Sequence, residues 1–136
     1  KMKKKPHYNI AIGIIWKDDK ILITKRKSSG LLGGLWEFPG GKVNENESLE
    51  DCVIREIKEE LEINIKVVEF IKAINHVYTH FSITLSAFNC EFVNGTPTLN
   101  TCTDLQFITI NDFDKYPFPK ANHKLFPYIN QLEIQL

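Results

Sequence analysis

The stretch from Ser48 to Glu62 constrains this chain more than any other, because it reads as one helix with an apolar face beside a strongly acidic one. Ser48 suits a helix N-cap, where its hydroxyl accepts a backbone N–H of the first turn. Glu50 and Asp51 then put negative charge where the helix dipole favours it. At about 3.6 residues per turn, Val53, Ile54, Ile57 and Leu61 share one arc, the expected core face. Glu56, Glu59 and Glu60 are related by i+3 and i+4 and share the neighbouring arc. Carboxylates that close repel by roughly a few tenths of a kcal/mol per pair even in water. Two outcomes are open on spacing alone. The stripe is either solvated and partly neutralised by Arg55 and Lys58, or it binds a divalent cation. Hard Mg2+ or Mn2+ prefers carboxylate oxygens and brings phosphate oxygens with it.

Around that helix the pattern is mostly β. Ile10, Ile12, Ile14 and Ile15-Trp16 predict a strand, and Asp18-Asp19 a turn into a second strand, Ile21 to Lys25. A Gly-bearing loop, residues 28–34, leads to a short extended piece from Leu35 to Phe38, and Pro39-Gly40-Gly41 reads as a turn. Strands are expected over Ile65 to Ala73, Phe81 to Phe92 and Leu105 to Ile110, with Asn94-Gly95 as a turn signal. Pro117 and Pro119 break the chain before a final helix from about Ala121 to Leu132. Strands and helices do not strictly alternate, so the expected class is α+β: a mixed sheet covered by two helices, rather than a doubly wound parallel sheet.

Composition narrows the setting. A length of 136 residues fits one domain, residues 1–136, with residues 1–6 as a flexible basic tail and Met2 as the expected natural start. Lys+Arg and Asp+Glu balance at 17 each, so bulk charge does not argue for a nucleic-acid-binding domain. Cys52, Cys90 and Cys102 form neither a C-x-x-C pair nor an even framework, which suits a reducing cytoplasm. No apolar run approaches the roughly 18 residues of a membrane span, and no secretory signal is evident. His7, His76, His80 and His123 lack metal-ligand spacing.

Gly41, five residues, Glu47, seven residues, then Arg55-Glu56-Ile57-Lys58-Glu59-Glu60-Leu61-Glu62-Ile63 resembles the Nudix box. Six of its required polar or Gly positions match, a coincidence on the order of one in a hundred thousand at ordinary residue frequencies. The resemblance extends outward. Leu35-Trp36-Glu37-Phe38-Pro39-Gly40-Gly41-Lys42, Ser82-Ile83-Thr84-Leu85 and Tyr116-Pro117-Phe118-Pro119-Lys120-Ala121-Asn122 are similar to segments of the MutT-type 8-oxo-dGTP diphosphatases. They are also similar to the Nudix-like C-terminal domain of adenine DNA glycosylases. The late Gly of the signature is Glu62 here. A left-handed backbone costs a non-Gly residue about 1–2 kcal/mol, so either Glu62 takes that conformation or the helix runs on to end near Asn64.

The resemblance implies a Nudix-type α/β/α sandwich and a metal-dependent hydrolase. Water would attack a nucleoside triphosphate at the β-phosphorus, giving a nucleoside monophosphate and pyrophosphate, with 8-oxo-dGTP as substrate and cleansing of the nucleotide pool, a form of DNA repair, as purpose. By matching position, Glu56, Glu59, Glu60 and the Gly40 carbonyl are the expected Mg2+ or Mn2+ ligands, with Asp104 as a later carboxylate. Glu56 or Glu59 doubles as the base, Arg55 orients a ligating carboxylate and Glu47 fixes the loop. Gly40 and Gly41 let the backbone approach the metal closely. Lys42, Lys25 and Arg26 are candidate phosphate contacts, Asn122 the group reading the oxidised guanine, and Phe38 and Phe118 candidate base contacts. The partner is a small nucleotide, with no membrane and with a monomer or homodimer both open. Another nucleotide, such as a cytidine triphosphate, a methylated-base triphosphate or ADP-ribose, is the rival substrate. A non-catalytic 8-oxoguanine-reading module is the rival class, in which DNA would be the partner.

Overall fold

Apolar residues run almost unbroken through positions 10–15 and 21–23, the pattern of strands covered on both faces. In the computed structural model, which describes residues 5–30 and 32–135, they lie in β1 (His7–Lys17) and β2 (Lys20–Arg26). Asp18 and Asp19 form the turn between them. β3 (Trp36–Glu37) and β4 (Gly40–Lys42) follow, then helix α1 (Leu49–Leu61), β5 (Asn64–Val77), β6 (Ser82–Asn94) and β7 (Cys102–Ile108). A 3-10 turn at Ile110–Lys115 and helices α2 (Lys120–His123) and α3 (Phe126–Gln135) complete the described chain.

The sheet is mixed, in the order β3-β2-β1-β6-β5, with β4 also on β1 and β7 on β2. β1 and β6 pair in parallel from His7↔Ser82 to Trp16↔Glu91, and the other pairings are antiparallel. Period-two alternation sends Ile12, Ile14, Ile21, Ile23, Ile83 and Leu85 to one face, against Phe113, Phe118, Leu125 and Ile129. Ala11, Ile15, Leu22, Phe88 and Cys90 face the other way, against Val53, Ile57 and Leu61 of α1. The result is the expected sandwich, a mixed sheet with helices on both sides.

Several elements differ from the sequence-based expectation. Pro39 is only a bend, and Gly40-Gly41-Lys42 is strand β4 on β1 rather than a turn. A Cβ on Gly40 would collide with the Ala11 carbonyl oxygen, so the strands approach this closely only with Gly there. Ile54 is 42% exposed while Cys52 is fully buried, because α1 is rolled toward its Cys52–Glu56–Glu60 side. β7 starts at Cys102 rather than Leu105, since pairing with β2 continues past a bulge between Lys25 and Arg26. Asn94 ends β6 but makes no hairpin, as β7 pairs with β2 across the sheet. The final helix divides into α2 and α3, with Lys124 and Leu125 between. Of the basic tail, residues 1–4 lie outside the described residues. Pro6 is tied down, accepting the Ser82 N–H at 3.0 Å, and Lys5 reaches the Tyr78 carbonyl at 3.3 Å.

Candidate active site

Helix α1 brings its acidic side to the sheet through two well-formed ends. Ser48 is the N-cap, its hydroxyl accepting the Asp51 N–H at 3.1 Å. At the other end Glu62 takes the left-handed conformation, φ 57° and ψ 34°, and the helix stops at Leu61. The segment before β7 supplies compensation. Thr98 and Asn100 donate backbone N–H groups to the Leu61 and Glu60 carbonyls at 2.9 and 3.2 Å. The Asn100 amide donates to the Glu59 carbonyl at 2.9 Å and to the Glu62 carboxylate at 3.0 Å, and the Thr98 hydroxyl donates to that carboxylate at 2.9 Å. Orphan carbonyls of the last turn are thereby paired.

Arg55 is the hub of the acidic face. Its guanidinium grips Glu47 bidentately at 2.6 and 2.9 Å and donates to Glu56 at 2.8 Å, Glu59 at 3.2 Å and the Lys42 carbonyl at 3.1 Å. The Arg55 bonds, with the Asn44 N–H, hold the Glu47 carboxyl down at about 2. The same bonds to Glu47, followed by those to Glu56, raise the Arg55 pKa.

Between β4, the side of α1 and the loops beyond β5 and before α2 lies a cavity of about 480 Å³. Glu56, Glu60, Gly40, Gly41, Lys42, Arg26, Phe38 and Asn122 line it. A Cβ on Gly41 would overlap the Glu56 carboxyl, so that carboxyl rests against bare backbone. Burial, then the charge of Glu37, then a hydrogen bond to Glu56 push Glu60 up to about 9. Glu37 is raised too, by burial, against the opposing pull of Arg26, whose Nη1 lies 3.0 Å away. The Lys42 ammonium sits 4.2 Å from the centre of the Tyr8 ring.

Other candidates fall outside this cavity. Glu59 is exposed and turned to Arg55, so among the described residues no three His, Cys, Asp or Glu side chains converge as a metal site. Asp104 is exposed, paired across strands with Lys25, and accepts the Leu105 N–H at 2.7 Å. Thr101 and Cys102, not Asp104, reach the cavity, and Lys25 does not line it. Phe118 packs at 5.3 Å on Phe38 and at 5.2 Å on Phe126, within an aromatic cluster behind the cavity wall. Glu37, Tyr8 and Tyr78 are among the lining residues that the sequence did not point to. For Glu37 a signal existed, a lone acid between Trp36 and Phe38.

The carboxyls present fit a divalent cation. Glu60 keeps its proton well above the usual carboxylate range because it is buried with Glu37 and Glu56 close by. A cation among these oxygens would replace that proton, and the all-oxygen donor set suits a hard metal.

A family model described as the NUDIX domain matches residues 11–128. The chain belongs to the Nudix family. It is a Nudix hydrolase, and Nudix hydrolases generally use divalent metal ions and act on small nucleotide substrates. An 8-oxo-dGTP diphosphatase of Buchnera aphidicola subsp. Schizaphis graminum is 47% identical over 114 residues, covering 84% of this chain and 86% of that one. A CTP pyrophosphohydrolase of Escherichia coli K12 is 31% identical, covering 83% and 84%. Among solved structures, the E. coli ORF135 protein superposes with a TM-score of 0.82 at 29% identity, covering 95% of this chain and 92% of that one. No helix of the described Nudix chain is long and apolar enough to cross a membrane.

Proposed function

We propose that this Nudix hydrolase splits 8-oxo-dGTP into the nucleoside monophosphate and pyrophosphate, using Mg2+ or Mn2+. One observation carries the reading. A single cavity joins the Glu56–Glu60 carboxyl pair to an apolar half containing the Asn122 side chain, 6% exposed and without a hydrogen-bond partner among the described residues. Because Asn122 lines the cavity, its amide is open to a ligand, and a purine edge carrying both a donor and an acceptor would satisfy it. The 47% identical relative named for 8-oxo-dGTP supports the same substrate.

Glu56, Glu60 and the Gly40 carbonyl would hold the cation, with Glu59 joining by exchanging Arg55 for it. When bound, the metal neutralises the polyphosphate and lowers the pKa of water. Arg55 restrains the Glu56 carboxyl through its 2.8 Å bond, while Glu47 anchors Arg55. Of the two candidate bases, Glu56 lines the cavity and Glu59 does not, which favours Glu56 for receiving the water proton. Arg26 and Lys42 line the cavity beside the carboxyls and would meet phosphate oxygens. Phe38 forms part of the wall against which a base would lie. The nucleotide pool of a reducing cytoplasm is the setting this reading implies.

The relative named CTP pyrophosphohydrolase favours a second reading, in which the same chemistry acts on CTP. A screen of 8-oxo-dGTP, dGTP, CTP, methylated-base triphosphates and ADP-ribose with Mg2+, following pyrophosphate and the base-bearing product, separates them. The proposal expects the highest kcat/KM for 8-oxo-dGTP with release of pyrophosphate. A preference for CTP would replace it, and no release from any nucleotide would favour the non-catalytic lesion-reading module.

A further inference from the structure

The position of Asn122 depends on a contact from a distant part of the chain. Helix α2 has only four residues, begins after Pro119 and has no side-chain cap of its own at that residue. Asn122 and His123 donate their backbone N–H groups to the Pro119 carbonyl at 3.0 and 3.3 Å. The Ala121 N–H instead donates to the phenol oxygen of Tyr78 at 3.2 Å, and Ala121 is fully buried. Tyr78 is itself fixed just beyond β5. Its N–H donates to the Phe81 carbonyl at 2.7 Å, and its ring stacks on Phe81 with centroids 4.8 Å apart. Both rings line the cavity that Asn122 also lines.

We propose that Tyr78 is a positioning residue for substrate selection, its hydroxyl holding the α2 backbone at Ala121 so that the Asn122 amide meets the base. The inference rests on the reading of Asn122 given above. Without the hydroxyl, a buried N–H has no acceptor, and a four-residue helix with no cap of its own shifts readily to find one. The amide one residue along moves with it. The phenyl ring of a Tyr78→Phe variant keeps the stacking on Phe81, so the apolar wall survives.

The test is kcat/KM for 8-oxo-dGTP and for dGTP, with Mg2+, in the unmodified protein, Tyr78→Phe, Asn122→Ala and the double variant. Tyr78→Phe should lower the ratio of the two values by about fivefold, the size of one net hydrogen bond. The loss should come through KM for 8-oxo-dGTP, with kcat falling less than about twofold. In the Asn122→Ala background, Tyr78→Phe should change the ratio no further, because both act through one contact. A merely structural role would lower the melting temperature in both backgrounds and leave the ratio alone. An unchanged ratio in Tyr78→Phe, with Asn122→Ala effective, overturns the proposal alone. Additive losses in the double variant also overturn it and assign the phenol a contact of its own with substrate. An Asn122→Ala variant that discriminates as well as the unmodified protein overturns the reading of Asn122 and this proposal with it.

Discussion

At Glu62 the backbone adopts a conformation that the family signature reserves for Gly, and the side chain offsets part of that strain by accepting from Thr98 and Asn100. Two substitutions separate the strain from the bonds. Glu62→Ala keeps the left-handed backbone and loses both hydrogen bonds, so the melting temperature should fall by roughly 3–6 °C. Glu62→Gly loses the same bonds but relieves the strain, and should melt within about 2 °C of the unmodified protein. Differential scanning calorimetry of both checks this, and an alanine variant as stable as the glycine one would contradict it. Residues whose partners are close in sequence were legible from the amino-acid order alone. Ser48 caps three residues on, and Arg55 bonds to Glu47, Glu56 and Glu59, as the box spacing implies. Glu37 and Tyr78 were not legible in role, because their partners, Arg26 or Glu60 and Ala121, are set by tertiary packing.

Helix α1 was legible as an element and misread in rotation. An apolar arc centred on Val53 and Ile57 is flanked by Ile54 on one side and Cys52 on the other, and periodicity does not say which flank turns in. The sheet takes the Cys52 side, which drives Glu56 and Glu60 toward the cavity and leaves Ile54 outside. That rotation has a consequence for pH. Glu60 stands at about 9 in the folded metal-free protein against an ordinary carboxyl value of 4.5. A group raised on folding contributes stability fully below the lower value and loses it as pH climbs through the higher one. Without metal, the melting temperature should therefore fall as pH rises from about 5 to 9, and Glu60→Gln should flatten that fall. Thermal melts in EDTA across this range measure it, and parallel curves for the two proteins would contradict it. The same variant should lose turnover by about two orders of magnitude or more with Mg2+. Kinetics within about tenfold of the unmodified protein would remove Glu60 from the site.

Across the whole molecule, fold class was legible because the apolar runs of β1 and β2, the alternation in β6 and the box helix between strands allow few arrangements. The parallel pairing of β1 with β6 and the β4 strand at Gly40 were not, since both depend on contacts far apart in sequence or on a close approach through Gly. The cavity is likewise a property of the assembled sheet, uniting α1 carboxyls with Asn122 from the other helical layer. Asn122→Ala should reduce the preference for 8-oxo-dGTP over dGTP by about tenfold while metal affinity stays put, and equal losses toward both nucleotides would contradict that. Hydrolysis in this cavity requires the Glu56–Glu60 pair to bind a divalent cation in company with a triphosphate. Titration of Mn2+ into the unmodified protein and into Glu60→Gln, each with a non-hydrolysable nucleoside triphosphate present and free Mn2+ followed by electron paramagnetic resonance, addresses this directly. Uptake in the first, with affinity at least about tenfold weaker in the second, is the result predicted. Equal uptake in both proteins, or none in either, would contradict it.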